Sequence, residues 1–482
     1  MTPRALLCGT ALAALPFVLA MPALACTESP SGTYTCTANP SAPVDRGGDN
    51  DITVTVDAGA VVTGGADAGI LANSDLEVTN AGTVQSDGEH AIEANDRAEI
   101  SNTGTISSTD KDAVNVDNDL ALTNSGTLSA GDDGVSIGNR ADIENLASGR
   151  ILADDKGITG EDDAIIDNKG LIDAGDKAIT VEDGADVTNS GTILAGTEGV
   201  EAGDDAIVTN LASGVIRADE DGVQVGRNAS ITNHGLIEST GSDGDGLDID
   251  DGTVINTGTI TAAALTGAGI DVDGPFADAG DPYPGPYGAL VIDNSGLIQG
   301  NTGILVETHG YTEDGEDFYP NVQSQIVTNT GTIRGTGGTA LNLGMGADSL
   351  LLGAGSVVDG VTLLGGDDDL LSFYETGYSD GFASLFDGGD GTDEVYFAFS
   401  DGLFQSVSWL DDVLTLAFDG GAGTFDIALT NFETYTFEGV GGPVSYSTAD
   451  LVAQIAAVPL PAAFWLMGLG LGGLTLVRRR RA

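Results

Sequence analysis

Asn189-Ser190-Gly191-Thr192-Ile193-Leu194-Ala195-Gly196-Thr197-Glu198-Gly199-Val200-Glu201-Ala202-Gly203-Asp204-Asp205-Ala206-Ile207-Val208-Thr209-Asn210 is the stretch that decides the fold. It holds three short apolar patches: Thr192-Ile193-Leu194, Gly199-Val200-Glu201 and Ile207-Val208. Gly- and Asp-rich turns separate them, and the next Asn closes the unit. Three strands and three turns in about 22 residues describe one coil of a triangular parallel β-helix.

The opening unit, Asn-x-Gly-x-(Ile/Val/Leu), recurs along the chain. It stands at Asn80, Asn102, Asn124, Asn168, Asn189, Asn233, Asn256, Asn294 and Asn329, and with an insertion at Asn145 and Asn210. From Asn80 to Asn256 the spacings are 22, 22, 21, 23, 21, 21, 23 and 23, a period set by a stacked repeat. Asp57 is expected to fill the Asn position one period earlier. No 3.6-residue apolar period precedes the C-terminal tail, which excludes a helical repeat. The pattern therefore predicts an all-β, right-handed parallel β-helix over residues 51–396. The asparagines point inward as a ladder, each bonding the backbone of its own turn and the next coil. The Gly two residues later permits the turn.

Composition agrees. Gly numbers 72, and only 5% of residues are aromatic while 41% are apolar, which suits a narrow core of small aliphatics. Asp plus Glu number 74 against 16 Lys plus Arg, a net charge of −58 that repels a phosphate backbone and excludes nucleic acid as a partner. An acidic surface stays soluble and attracts cations.

Two coils are interrupted. The insert at 274–288 holds Pro275, Pro282, Tyr283, Pro284, Pro286 and Tyr287; that at 308–323 holds His309, Tyr311, Phe318, Tyr319 and Pro320. They lie one coil apart and are expected to emerge side by side. Tyr faces beside carboxylates suit carbohydrate contact.

Acidic residues also recur. Asp112, Asp133, Asp155, Asp176, Glu198, Asp221 and Asp245 each sit near a strand start, where stacked carboxylates repel unless salt screens them or divalent cations bridge them. Past residue 340, Gly388-Gly389-Asp390-Gly391-Thr392-Asp393-Glu394-Val395-Tyr396 fits the calcium nonapeptide G-G-x-G-x-D-x-U-x. Partial copies surround Asp348, Asp368 and Asp369. The expected calcium ligands are Asp348, Asp368, Asp369, Asp390 and Asp393, with glycine-turn carbonyls completing the shell. Residues 397–448 are expected to cap the C-terminal end and 26–50 the N-terminal end, because an open solenoid end is a bare strand edge.

The two termini read as addresses. Residues 1–25 form a signal peptide: Arg4, an apolar run from Leu6 to Ala20, then Ala23-Leu24-Ala25 as cleavage site. Export into an oxidising compartment makes a Cys26–Cys36 disulfide the natural pairing. After a linker at 449–457, the sorting segment 458–482 begins Val458-Pro459-Leu460-Pro461-Ala462, continues as an apolar, Gly-rich run to Val477, and ends in Arg478, Arg479, Arg480 and Arg481. The run is just long enough for one transmembrane helix, with the arginines held in the cytoplasm.

This order of motif, span and basic cluster resembles the VPLPA-type PEP-CTERM sorting signal. The resemblance implies recognition by an exosortase, a membrane-embedded cysteine transpeptidase-like enzyme that cuts near the proline motif and releases the protein to the surface or matrix. Leu460 stands where the parent motif has Glu, which bears on which exosortase acts. The late coils, with Asn431-Phe432-Glu433-Thr434, also resemble those of autotransporter passenger domains. Loss of Arg4 with the leader and Arg478 to Arg481 with the tail moves the net charge from −58 to −63.

No catalytic set is visible. His90, His234 and His309 are isolated, the basic residues are scattered, and there is no nucleophile elbow, metal-spaced His/Cys set or phosphate loop. The expectation is a surface or matrix structural and adhesion protein, not an enzyme. Its partners are the export machinery, the exosortase-type enzyme and extracellular polysaccharide. The alternative is a β-helix that binds or degrades polysaccharide. A groove with convergent charged groups beside the inserts separates the two.

Overall fold

A computed structural model describes residues 26–457 apart from residues 30, 38, 40, 278–286, 314–315, 377, 379–381, 421–423 and 440. The expected signal peptide and sorting segment lie outside the described residues. Among those residues no helix is long and apolar enough to cross a membrane.

The chain winds into a right-handed parallel β-solenoid of about 15 turns, with almost no helix. Each coil contributes one strand to each of three faces. In one coil these are Val200–Ala202 on the first face, Ile207–Asn210 on the second and Val215–Ala218 on the third. Each pairs in parallel with its equivalent one coil on: Val223–Val225, Ala229–Asn233 and Leu236–Ser239. Alternation then decides burial. Ile193, Ile216, Ile237 and Ile260 stack inward on the third face, and Val200, Val223, Leu247 and Ile270 on the first, all with no exposed area. One or two small inward side chains per strand, such as Val223 with Val225 and Leu247 with Ile249, fill the bore, so few aromatics are needed.

The eleven asparagines end the second-face strands and pair in register from Asn80 to Asn329. All are at most 1% exposed. From Asn80 to Asn294 each Nδ2 donates to the Oδ1 of the next asparagine, as in Asn168 to Asn189 at 2.8 Å and Asn189 to Asn210 at 2.9 Å. The same Nδ2 reaches a carbonyl on the following coil, Val215 O at 3.3 Å for Asn189. At most turns Oδ1 also accepts the N–H two residues on, as Asn80 does from Gly82. The ladder therefore satisfies main-chain groups that a corner would strand.

Three boundaries differ from the sequence expectation. The ladder position before Asn80 is Val56, not Asp57, because the turn Asp57–Ala60, closed by Ala60 N–H to Asp57 O, puts four residues between ladder position and next strand where Ala81-Gly82 puts two. Parallel pairing starts at Thr33–Cys36 against Thr53–Val56, inside the segment expected to be only a cap. The short hairpin strand Thr27–Ser29 and the Cys26–Cys36 disulfide close that end. At the other end the expected linker is a helix, Thr448–Ala457, packed on the cap.

After Asn329 the ladder position passes to Leu352, Phe373, Phe397 and Phe437. Phe373 and Phe397 stack at 5.3 Å, Phe397 and Phe437 at 4.6 Å. Antiparallel strands Phe404–Leu410, Val413–Asp419 and Thr424–Thr430 fold over this stack and cover the last coil.

Candidate functional site

One corner of the solenoid is concave. Between the first and second faces most coils carry a residue of left-handed φ: Asp75, Arg97, Asp119, Arg140, Asp163, Gly184, Asp205 and Asn228 among them. Along the outside of this corner runs a groove. Its lower part, about 420 Å³, is lined largely by amides and a hydroxyl, with Asn115, Asn118, Ser136 and Asn139 beside Asp117 and Glu161. Its upper part, about 530 Å³, is lined by Thr180, Glu201, Gln224, Asp204, Asp248, Asp250 and Asp273.

Register explains the convergence. Thr180, Glu201, Gln224, Asp248 and Asp271 are successive rungs of one outward row. Asp250 and Asp273 lie two residues further along the last two strands, so they share that face. Three carboxyls from two neighbouring coils, Asp248, Asp250 and Asp273, thus face one space, with Asp271 the rung beyond Asp248. Gln224 Nε2 donates to Asp248 Oδ2 at 3.1 Å. Among the described residues, no ion pair reaches Asp248, Asp250, Asp271 or Asp273. The cations elsewhere are tied along the axis: Arg97 to Asp75, Arg140 to Asp119, Arg217 to Glu238 and Arg227 to Asp204. Burial, reinforced by neighbouring carboxylates, therefore pushes Asp250 up to about 7 and Asp273 up to about 6, and Asp248 and Asp271 well above the usual carboxylate range.

The two inserts stand at the upper end of this groove. Phe276–Ala277 of the first pairs antiparallel with Glu316–Phe318 of the second, which pairs with Tyr311–Glu313. They form one small antiparallel sheet, which sets the two inserts side by side. Asn321 fastens it to the solenoid, its Nδ2 donating to Asp273 O at 2.9 Å and its N–H to Glu307 O at 2.9 Å. Tyr287 is buried, with the Arg227 guanidinium 6.0 Å from its ring centre.

The acidic residues of the earlier coils are held by a means the sequence reading did not weigh. Asp133 N–H donates to Asp112 Oδ1, Lys156 N–H to Asp133 Oδ1, Asp245 N–H to Asp221 Oδ1 and Ala268 N–H to Asp245 Oδ1. These carboxylates cap main-chain amides of the next coil. His90 Nδ1 adds a contact to Asp112 at 3.2 Å, and Lys177 bridges Glu198 and Glu201. Oxygens of Asp132, Asp133 and Asp155 also lie within 4.8 Å of one another, all on half-buried side chains.

Of the expected calcium ligands, Asp348, Asp369 and Asp393 come together in one column, each just before a second-face strand. Asp368 sits outside it and accepts the Thr392 N–H at 2.9 Å, while Asp390 is exposed. Glu433 joins the column as its last member, accepting the Asp393 N–H at 2.8 Å. The sorting residues Val458 to Ala462 and Arg478 to Arg481 lie outside the described residues.

No family model, curated protein or solved structure matches the chain.

Proposed function

We propose that the chain is an exported cell-surface or matrix protein whose rigid solenoid presents a polysaccharide-contact groove along one corner. The observation that carries this reading is the groove itself: amides, hydroxyls and carboxyls in register, ending against the insert sheet. Such a row offers donors and acceptors to successive sugar hydroxyls. Its carboxyls disfavour polyuronates and favour neutral or amine-bearing sugars. A glycan array on the protein without leader and tail tests it. Neutral or amino-sugar oligomers should bind best and uronates worst. Asp248→Asn combined with Gln224→Ala should weaken binding about tenfold, near 1.4 kcal/mol. Failure of every glycan leaves a bare scaffold.

A second reading, polysaccharide cleavage, draws on one observation. Asp248 and Asp271, pushed by burial well above the usual carboxylate range, stand beside Asp250 and Asp273, raised to about 7 and about 6, a set of unlike carboxyls of the kind glycoside hydrolysis uses as acid and base. The same bound oligosaccharides, recovered shortened, would favour it; recovered whole, they favour adhesion.

Delivery follows from the C-terminal resemblance. In a host with an exosortase, the surface form should end near Val458 to Ala462 by mass spectrometry. Mature molecules that all keep Arg481 would reduce the segment to a plain anchor.

A further inference from the structure

The column in the late coils differs from the other acidic rows in its burial. Asp348, Asp369 and Asp393 are 1%, 2% and 0% exposed. One oxygen of each is accounted for. Gln325 N–H donates to Asp348 Oδ1 at 2.6 Å, Asp348 N–H to Asp369 Oδ1 at 2.7 Å and Asp369 N–H to Asp393 Oδ1 at 2.9 Å. The other oxygen, Oδ2 in all three, is buried and has no hydrogen-bond partner. A buried carboxylate oxygen without a partner carries a large desolvation cost, and three in successive coils, about 4.8 Å apart, add mutual repulsion. The column calls for positive charge between its rungs.

The surroundings of Asp393 supply further oxygens. A Cβ placed on Gly388 would fall 2.4 Å from the Asn431 carbonyl oxygen and 2.7 Å from Asp393 Oδ2. The glycine leaves those two oxygens facing one small space that any other residue would fill. On the opposite side a Cβ on Gly391 would fall 2.0 Å from the Asp367 carbonyl oxygen and 3.1 Å from Asp393 Oδ1. The donor set is therefore hard oxygen throughout, mixing carboxylates with main-chain carbonyls. Such a set suits calcium, with its larger and less regular shell, better than magnesium, which demands a near-ideal octahedron and keeps its waters. Two carboxylates, Asp369 and Asp393, balance the charge of one divalent ion.

We propose that the buried column is a calcium-type cation site, centred on Asp393 with Asp369 one coil before it and the Asn431 carbonyl beside it. The ion ties three successive coils, and the C-terminal cap built on the last of them, into one unit. The site is separate from the groove and does not depend on the function assigned to it.

The test is calcium titration of the whole exported chain by calorimetry in 150 mM sodium chloride, with thermal unfolding in calcium, in magnesium and in sodium at matched ionic strength. Saturating calcium should raise the unfolding temperature by about 3 °C over the sodium control, with magnesium giving less. Asp393→Asn keeps the Oδ1 acceptor for Asp369 and should abolish the shift, whereas Asp390→Asn, in the same glycine-rich segment but exposed, should retain it. If Asp393→Asn fails to fold, Asp369→Asn takes its place. Equal unfolding temperatures in calcium and sodium would overturn the proposal and leave the column protonated. A calcium shift that survives Asp393→Asn or Asp369→Asn would overturn it too, placing the ion elsewhere on the acidic surface.

Discussion

Asn189→Leu is expected to lower the stability of the solenoid by about 3 kcal/mol, well beyond the effect of an ordinary surface substitution. The side chain has no exposed area and joins three coils: it accepts from Asn168 Nδ2 and donates to Asn210 Oδ1 and Val215 O. Leucine matches its size but removes every one of those bonds. It takes from Asn210 Oδ1 its Asn189 donor and leaves Asn168 Nδ2 with the Thr192 carbonyl at 3.3 Å, and an orphaned buried polar group costs about 1–3 kcal/mol. Asn329→Leu should cost less. That asparagine is the last of the ladder, its next neighbour is already Leu352, and Asn294 Nδ2 keeps Thr332 O at 3.2 Å as an acceptor. Denaturant unfolding of both variants measures the difference. Equal losses at the two sites would mean that the amide-to-amide bonds contribute nothing beyond filling the corner.

A pH profile gives the second large effect. Folding moves Asp250 from 3.8 up to about 7 and Asp273 up to about 6, and raises Asp248 and Asp271 well above the usual carboxylate range, with burial the leading cause in all four. The groups facing them are mostly acidic. Asp221 and Asp245 face Asp248, Glu307 faces Asp271 and Asp273, and Asp204 and Asp251 face Asp250, with Arg227 the one opposing charge. A carboxyl raised by folding favours the protonated form, so its contribution is complete below pH 4 and is lost as pH climbs through the folded value. For one group moved to about 7, the loss between pH 5 and pH 7 is about 2 kcal/mol. The protein should therefore resist denaturant better at pH 5 than at pH 8. His90, raised by its hydrogen bond to Asp112, acts in the same direction, so the comparison that isolates the groove is Asp250→Asn with Asp271→Asn against the parent chain. A profile equally steep in that variant would assign the pH effect elsewhere.

The solenoid was legible because its determinants are local and repeated. An Asn, a Gly two residues on and an apolar pair define a corner, and the count between corners defines the coil. Single-residue register was less so: Asp57 matches the ladder residue in type, yet turn length, which composition does not reveal, puts Val56 there. The groove was hidden for a related reason. Asp248 and Asp271 are 23 residues apart, and nothing in 74 acidic residues marks these two until pairing places them on adjacent rungs. The late column was half visible. Spacing singled out Asp348, Asp369 and Asp393 along with Asp368 and Asp390, but only burial separates the three that face inward, and Glu433 carries no glycine signature at all.

The parallel pairing also fixes how the molecule bears load. The bonds between successive coils run along the long axis, so a pull between the two ends acts on them in series, coil after coil. A coil that detaches shortens the rod by about 4.8 Å but releases about 22 residues of chain, roughly 75 Å when extended. Under tension such a rod lengthens in discrete steps and keeps its remaining coils intact, paying out chain like a spool.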